Sequence, residues 1–137
     1  SVLYLENDNE DSTIVINSAI LQTVGATYGA NDFFSIETNS EYSTGGSACS
    51  INNLSSGSSV TSGAVAYEGA FSLTGAPTLI DKIYPPSDRF LLDFDINGGV
   101  LILPGKAISI GYTGSNTAGF AKASIYFSIV GNKGYSG

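Results

Sequence analysis

The last regular stretch of the chain, residues 120–130, restricts the backbone more than any other. Ala121, Ala123, Ile125, Phe127 and Ile129 alternate there with Lys122, Ser124, Tyr126 and Ser128. Successive side chains of an extended chain point to opposite faces, so a period of two separates the apolar set from the polar one. A helix would scatter both sets around its circumference. The expected result is a strand buried on one face, with Ile125, Phe127 and Ile129 in the core. Such a strand needs a second layer to cover its apolar side.

The same punctuated pattern runs back to residue 65. Val65, Tyr67, Phe71 and Leu73 share a parity across Gly69, and a glycine in mid-strand points to a bulge. Residues 78–84 read as a further strand, stopped by Pro85-Pro86. Strands over 90–96, 100–103 and 108–112 follow. Asn97-Gly98 is expected to be a type I′ hairpin turn and Pro104-Gly105 a type II turn.

The first half is less regular. Residues 2–5 read as a short strand running into the acidic stretch Glu6-Asn7-Asp8-Asn9-Glu10-Asp11. Residues 13–24 fit a strand through Ile14, Ile16 and Ile20, and equally a helix through Ile16, Ala19, Ile20, Thr23 and Val24. Phe34 and Ile36 share one face of a strand over 33–37. Residues 38–63, mostly Ser, Thr, Gly and Asn, read as a long surface loop with a short strand at 48–51. Eight or nine short strands between turns predict an all-β chain, a two-sheet antiparallel sandwich of jelly-roll or Greek-key type. With 42% hydrophobic residues the chain folds, as one domain over 1–137 with a short N-terminal arm (1–11) and a flexible C-terminal tail (131–137).

Charge is divided unevenly. Glu6, Asp8, Glu10, Asp11, Asp32, Glu37, Glu41, Glu68 and Asp81 precede the first cation, Lys82. Residues 82–137 then carry all 5 Lys and Arg, and the whole chain is −7. Binding to nucleic acid or to an anionic membrane works by neutralising phosphates, so neither partner is expected. Apolar runs fall far short of the ~20 residues that span a bilayer. Ser1–Leu5 lacks a basic, then apolar leader, so no signal peptide is expected in this form, while a mature form with its signal removed stays open.

The sequence contains no histidine, which removes the commonest general base and the usual zinc ligand. No catalytic residues and no bound cofactor are expected, and the chain reads as non-enzymatic. Cys49, the single cysteine, sits among small residues and is expected to be inert. Asp93 and Asp95 stand two apart in a strand, with Cα atoms ~6.6 Å apart on one face. Three readings of the pair stay open: solvated outer-face residues, a Ca²⁺ site or cross-subunit salt bridge, and a small glycan hydrolase using both carboxylates. The 6–11 stretch resembles a calcium loop in composition, with oxygen donors at Asp8, Glu10 and Ser12, but lacks the Gly and distal Glu of an EF-hand. Its bland alternative is a solvated acidic turn. Asn53-Leu54-Ser55 matches a glycosylation sequon.

The run Gly98-Gly99-Val100-Leu101-Ile102-Leu103-Pro104-Gly105-Lys106-Ala107-Ile108-Ser109-Ile110, followed by Ala121-Lys122-Ala123-Ser124-Ile125-Tyr126-Phe127, carries a resemblance. It is similar to the small jelly-roll and tumour-necrosis-factor-like sandwiches of tailed-phage virion proteins. There, too, a Pro-Gly turn joins two apolar strands ahead of a final alternating one. The resemblance spans the last forty or so residues and implies a head decoration, cement or fibre-type protein. Such a protein is commonly a homotrimer, bound to the major capsid protein on the outer capsid surface of a virion. The rival expectation is a carbohydrate-binding or host-adhesion module that meets glycans through Tyr and carboxylates in loops 38–63 or 113–118. Under the assembly reading, residues 2–5 or the 131–137 tail would reach a neighbouring copy.

Overall fold

The computed structural model describes residues 2–24, 32–51, 63–85, 90–114 and 120–131. They form seven strands: β1 (Leu3–Asn7), β2 (Ser12–Val24), β3 (Phe33–Ala48), β4 (Ala64–Ile83), β5 (Phe90–Ile102), β6 (Ala107–Thr113) and β7 (Phe120–Gly131). All pairings are antiparallel, and the strands make two packed sheets. The all-β sandwich expected from the alternation is therefore the architecture. One sheet closes on itself in the order β1-β4-β3-β6, and the other runs β5-β2-β7. Every connection except β3 to β4 passes from one sheet to the other.

The core lies between the sheets. Leu3, Leu5, Phe34, Ile36, Ala66, Ile108 and Ile110 of the closed sheet meet Ile14, Ile16, Ala19, Leu21 and Ile102 of the other. Full burial of one such aliphatic or aromatic side chain contributes about 2 kcal/mol. Ala121, Ala123, Ile125 and Phe127 pack against this cluster from β7, while Lys122, Ser124, Tyr126 and Ser128 are exposed. The two faces of β7 are as its alternation requires. Ile129 departs from it: at the rim, two residues from the strand's end, it is 38% exposed.

Five sequence expectations give way here. First, of the two readings of residues 13–24 the strand stands and the helix falls, as does the shared parity of Ile14, Ile16 and Ile20, and the helix-like spacing has a cause. The β2 register shifts between Ile16 and Ser18 against both neighbours, so Asn17 is bulged out. The bulge moves the inward set from Ile14 and Ile16 to Ala19, Leu21 and Thr23, and Ile20 falls on the other face. Second, Asn97-Gly98 is not a hairpin turn. Strand β5 runs through it, with both halves on β2, and it lies where β5 spends three residues more than β2 between Ile16↔Val100 and Ser18↔Asp95. Third, residues 38–48 are not loop but the rest of β3, paired as far as Ala48↔Tyr67. Fourth, the strands are fewer and longer than expected, because β4 and β5 each fuse two expected strands. Fifth, Leu3–Asn7, inside the segment read as an arm, is a strand paired on both sides, with Leu3 and Leu5 buried. It has no edge left for a neighbouring copy. Residues 132–137 of the expected tail and the sequon at Asn53 lie outside the described residues.

Two expectations about turns and bulges stand. Gly69 has φ 84° and sits at a one-residue slip of β4 against β3. Gly105 has φ 77°, and Lys106 N donates to Leu103 O at 3.0 Å, closing the Pro104-Gly105 turn. The β3–β4 ribbon bends through four register shifts. Gly46 is indispensable at one of them, since at φ 69° any Cβ would stand 2.6 Å from Glu68 O.

Asn7 ties the two sheets together. Its side chain is buried, and Nδ2 donates to Ser12 O (2.8 Å) at the start of β2 and to Ile102 O (2.9 Å) at the end of β5. Its Oδ1 accepts from Asn9 N at 3.0 Å. Its backbone N donates to Lys106 O and its carbonyl accepts from Gly105 N. Thr23 is the opposite case: among the described residues its buried Oγ1 has no hydrogen-bond partner. Asn7→Ala, which strands two carbonyls and an amide, is expected to lose about 3 kcal/mol in urea unfolding. Thr23→Val, isosteric and without the orphan hydroxyl, is expected to be neutral or to stabilise by about 1 kcal/mol. A cheap Asn7→Ala would mean that the two sheets are joined elsewhere.

Candidate functional site

The candidates from the sequence occupy separate places. Asp8 and Glu10 are exposed in the turn between β1 and β2. Two amides shape that turn: Asn7 Oδ1 accepts from Asn9 N, and Asn9 Oδ1 accepts from Asp11 N at 2.9 Å. Ser12, the third expected oxygen donor, is buried and gives its carbonyl to Asn7. Asp93 and Asp95 pair in register with Ile20 and Ser18 on β2, and Asp93 is exposed. Ile20 lies eight residues along β2 from Ser12, roughly 25 Å, so the structure does not bring the two acidic pairs together. Among the described residues no group of three or more His, Cys, Asp or Glu could hold a metal ion. Cys49 is half-buried, and burial, then the Glu68 carboxylate, pushes its thiol up, away from the reactive thiolate.

A tyrosine cluster went unseen in the sequence. Tyr4 lies between Leu3 and Leu5, so it points away from the main core into the interior of the closed sheet. Its ring meets Tyr42, Tyr67 and Phe71 with centroids 6.0, 6.3 and 6.1 Å away, and Tyr42 stacks on Tyr67 at 3.8 Å. Reading residues 38–63 as loop hid Tyr42. The opposite parity of Tyr4 to Leu3 and Leu5 was the available signal. Tyr4 Oη donates to Glu6 Oε1 at 2.7 Å and accepts from Tyr42 N at 3.2 Å. Burial drives its ionisation far above the ordinary tyrosine range. The Glu6 hydrogen bond and the Glu6 and Glu41 charges add to this, against a smaller pull from Tyr42 N–H.

The second surface is the outer face of the β5-β2-β7 sheet. Around the buried Ile14, Ile16 and Ile102, the residues of opposite parity face outward. Leu101 on β5 is 58% exposed and Tyr126 on β7 41%, and Leu103, in the turn just past β5, is 54% exposed. Leu101, Val15 and Ser128 form one cross-strand row; Asp93, Ile20 and Ser124 form another; Gln22 and Lys122 pair in a third. One end of the face is apolar. Toward the other, a carboxylate stands on the β5 side and an ammonium on the β7 side.

No protein-family model, no curated protein and no solved structure matches this chain.

Tyr4 keeps its proton in the folded state at pH values where an unfolded tyrosine, near 10, releases it. Its share of stability is whole below about pH 10 and declines above. Urea unfolding at rising alkaline pH should show this decline in the native protein and a flatter profile in Tyr4→Phe. The variant should also lose about 1 kcal/mol at pH 7 with its two hydrogen bonds. Identical slopes for the two proteins would remove Tyr4 from the alkaline limb.

Proposed function

We propose that this is a non-enzymatic virion structural protein, an oligomeric decoration or cement protein on the outer surface of a phage head, with a homotrimer as the favoured assembly. The observation that carries the assembly half is the pair Leu101, on β5, and Leu103, just past its end, large aliphatic side chains that are both more than half exposed. Contiguous exposed apolar surface marks a place where another molecule sits. The excess of carboxylates over Lys and Arg supports a place on the outside of a shell, away from packaged nucleic acid. The virion half rests on the resemblance in residues 98–110 and 121–127. Those residues supply the end of β5, the Pro104-Gly105 turn, β6 and β7.

The adhesion reading has one observation in its favour. The stacked Tyr42 and Tyr67 are part-exposed, and an aromatic ring beside carboxylates such as Glu41 and Glu68 suits a sugar face. One pair of measurements separates the readings. The isolated protein is expected to sediment as an oligomer at tens of micromolar, to bind purified capsids that lack it, and to give no signal on a glycan array. A monomer that binds glycans would replace the coating reading with adhesion.

A further inference from the structure

We infer that the Tyr42–Tyr67 stack, with Glu6 beside it, receives an arginine side chain of the protein that this chain coats. The identity of that protein rests on the coating reading, whereas the site rests on the closed sheet alone. Each ring gives one face to the other, and both remain part-exposed. The platform is held in place: Tyr42 Oη donates to Gly45 O at 2.9 Å, and Tyr4 packs against both rings. Little ordering is therefore left for binding to impose.

Charge selects the occupant. Tyr4 and Glu6 share a parity on β1, and the register sets Tyr4 opposite Tyr67 and Glu6 opposite Val65. Glu6 thus stands diagonally from Tyr67 on one face, with Cβ atoms ~7 Å apart. Its Oε1 accepts from Tyr4 Oη, which in turn accepts from Tyr42 N, so the carboxylate is tied to the platform. Glu41 precedes Tyr42, and its charge also reaches the Tyr4 hydroxyl. The four strands of this sheet carry Glu6, Glu37, Glu41, Glu68 and Asp81 against one cation, Lys82. Lys82 lies at the other end of β4, with Nζ 4.7 Å from the centre of the Phe33 ring, so the fold already seats one cation on an aromatic face. A sugar would draw on the apolar area of the rings. A cation draws on their negative faces and on the carboxylates together. Arginine fits better than lysine, because its planar guanidinium lies flat on a ring while its fork of donors meets the lone pairs that Glu6 has left.

The test uses the full chain at low salt and the peptide acetyl-Gly-Arg-Gly-amide, with tyrosine ring signals followed by NMR. Saturable shifts of the Tyr42 and Tyr67 signals are expected, and acetyl-Gly-Lys-Gly-amide should bind several-fold more weakly. Tyr67→Leu keeps apolar bulk, and Glu6→Gln keeps an acceptor for Tyr4. Each should weaken the arginine peptide about fivefold, with circular dichroism confirming the native strand spectrum. Asp93→Asn, on the other sheet, should change binding little. Equal binding of the two peptides, or equal losses from Asp93→Asn and Glu6→Gln, would mean that net charge alone attracts the peptide and would overturn the site. Purified capsids supply the second arm, where Tyr67→Leu and Glu6→Gln should both lose binding. Undiminished capsid binding by the two variants would overturn this docking site and leave the coating reading standing. Peptide binding by a protein that ignores capsids would overturn the coating reading and leave the arginine site.

Discussion

The two sheets are joined at one buried amide. Asn7 is at the end of β1, yet its side chain holds the first residue of β2 and the last of β5, and its backbone holds the turn into β6. Both carbonyls it reaches need a donor, and a carboxylate could supply none, so an amide is required amid a run of acids. A hydrogen bond made inside the protein is worth little net, but an unmade one exposes a full desolvation penalty. That asymmetry makes the node decisive. Four of the seven strands are positioned by it, and the adjacent acidic turn follows its geometry through Asn9.

The second constraint is the bulge at Asn17. Strand β2 is the centre of its sheet, so a change of parity there propagates to both neighbours. On β7 the shift is absorbed between Phe127 and Tyr126, and on β5 by three extra residues around Asn97-Gly98. Asn17 is held across the sheet by Ser128, to whose Oγ its Nδ2 donates at 2.9 Å. The bulge lets Ile14, Ile16, Ala19 and Leu21 all enter the core, although they do not share a parity. It also increases the local twist of the sheet.

The closed sheet works differently. Its long ribbon, β3 and β4, folds back far enough to enclose Tyr4 and so makes a second, aromatic core on the side away from the first. Within this sheet β1 pairs with β4 on one side and β6 on the other, which leaves it without an edge. Large apolar side chains stand in the open beside both sheets: Leu79 and Ile80 on β4 with Tyr84 just past it, and Leu101 on β5 with Tyr126 on β7.

Much of this was legible in the residues. The all-β class, the two faces of β7, the Gly69 bulge and the Pro104-Gly105 turn follow from local stereochemistry: side-chain alternation and the φ that Pro and Gly permit. The acidic first half and the missing histidine are read directly. The parity of β2 beyond Asn17, the passage of β5 through Asn97-Gly98, the strand at 38–48 and the outward stance of Leu101 beside buried Ile102 were settled by tertiary structure. Each depends on partners far away in the chain. An Asn-Gly pair permits a turn but does not compel one, and the ladder to β2 on both sides of it outweighs the local preference. A polar strand has no alternation to declare it, and becomes a strand because a neighbour supplies its hydrogen bonds. Local geometry is written in adjacent residues, whereas register is a property of pairs, and the pairs exist only once the chain has folded.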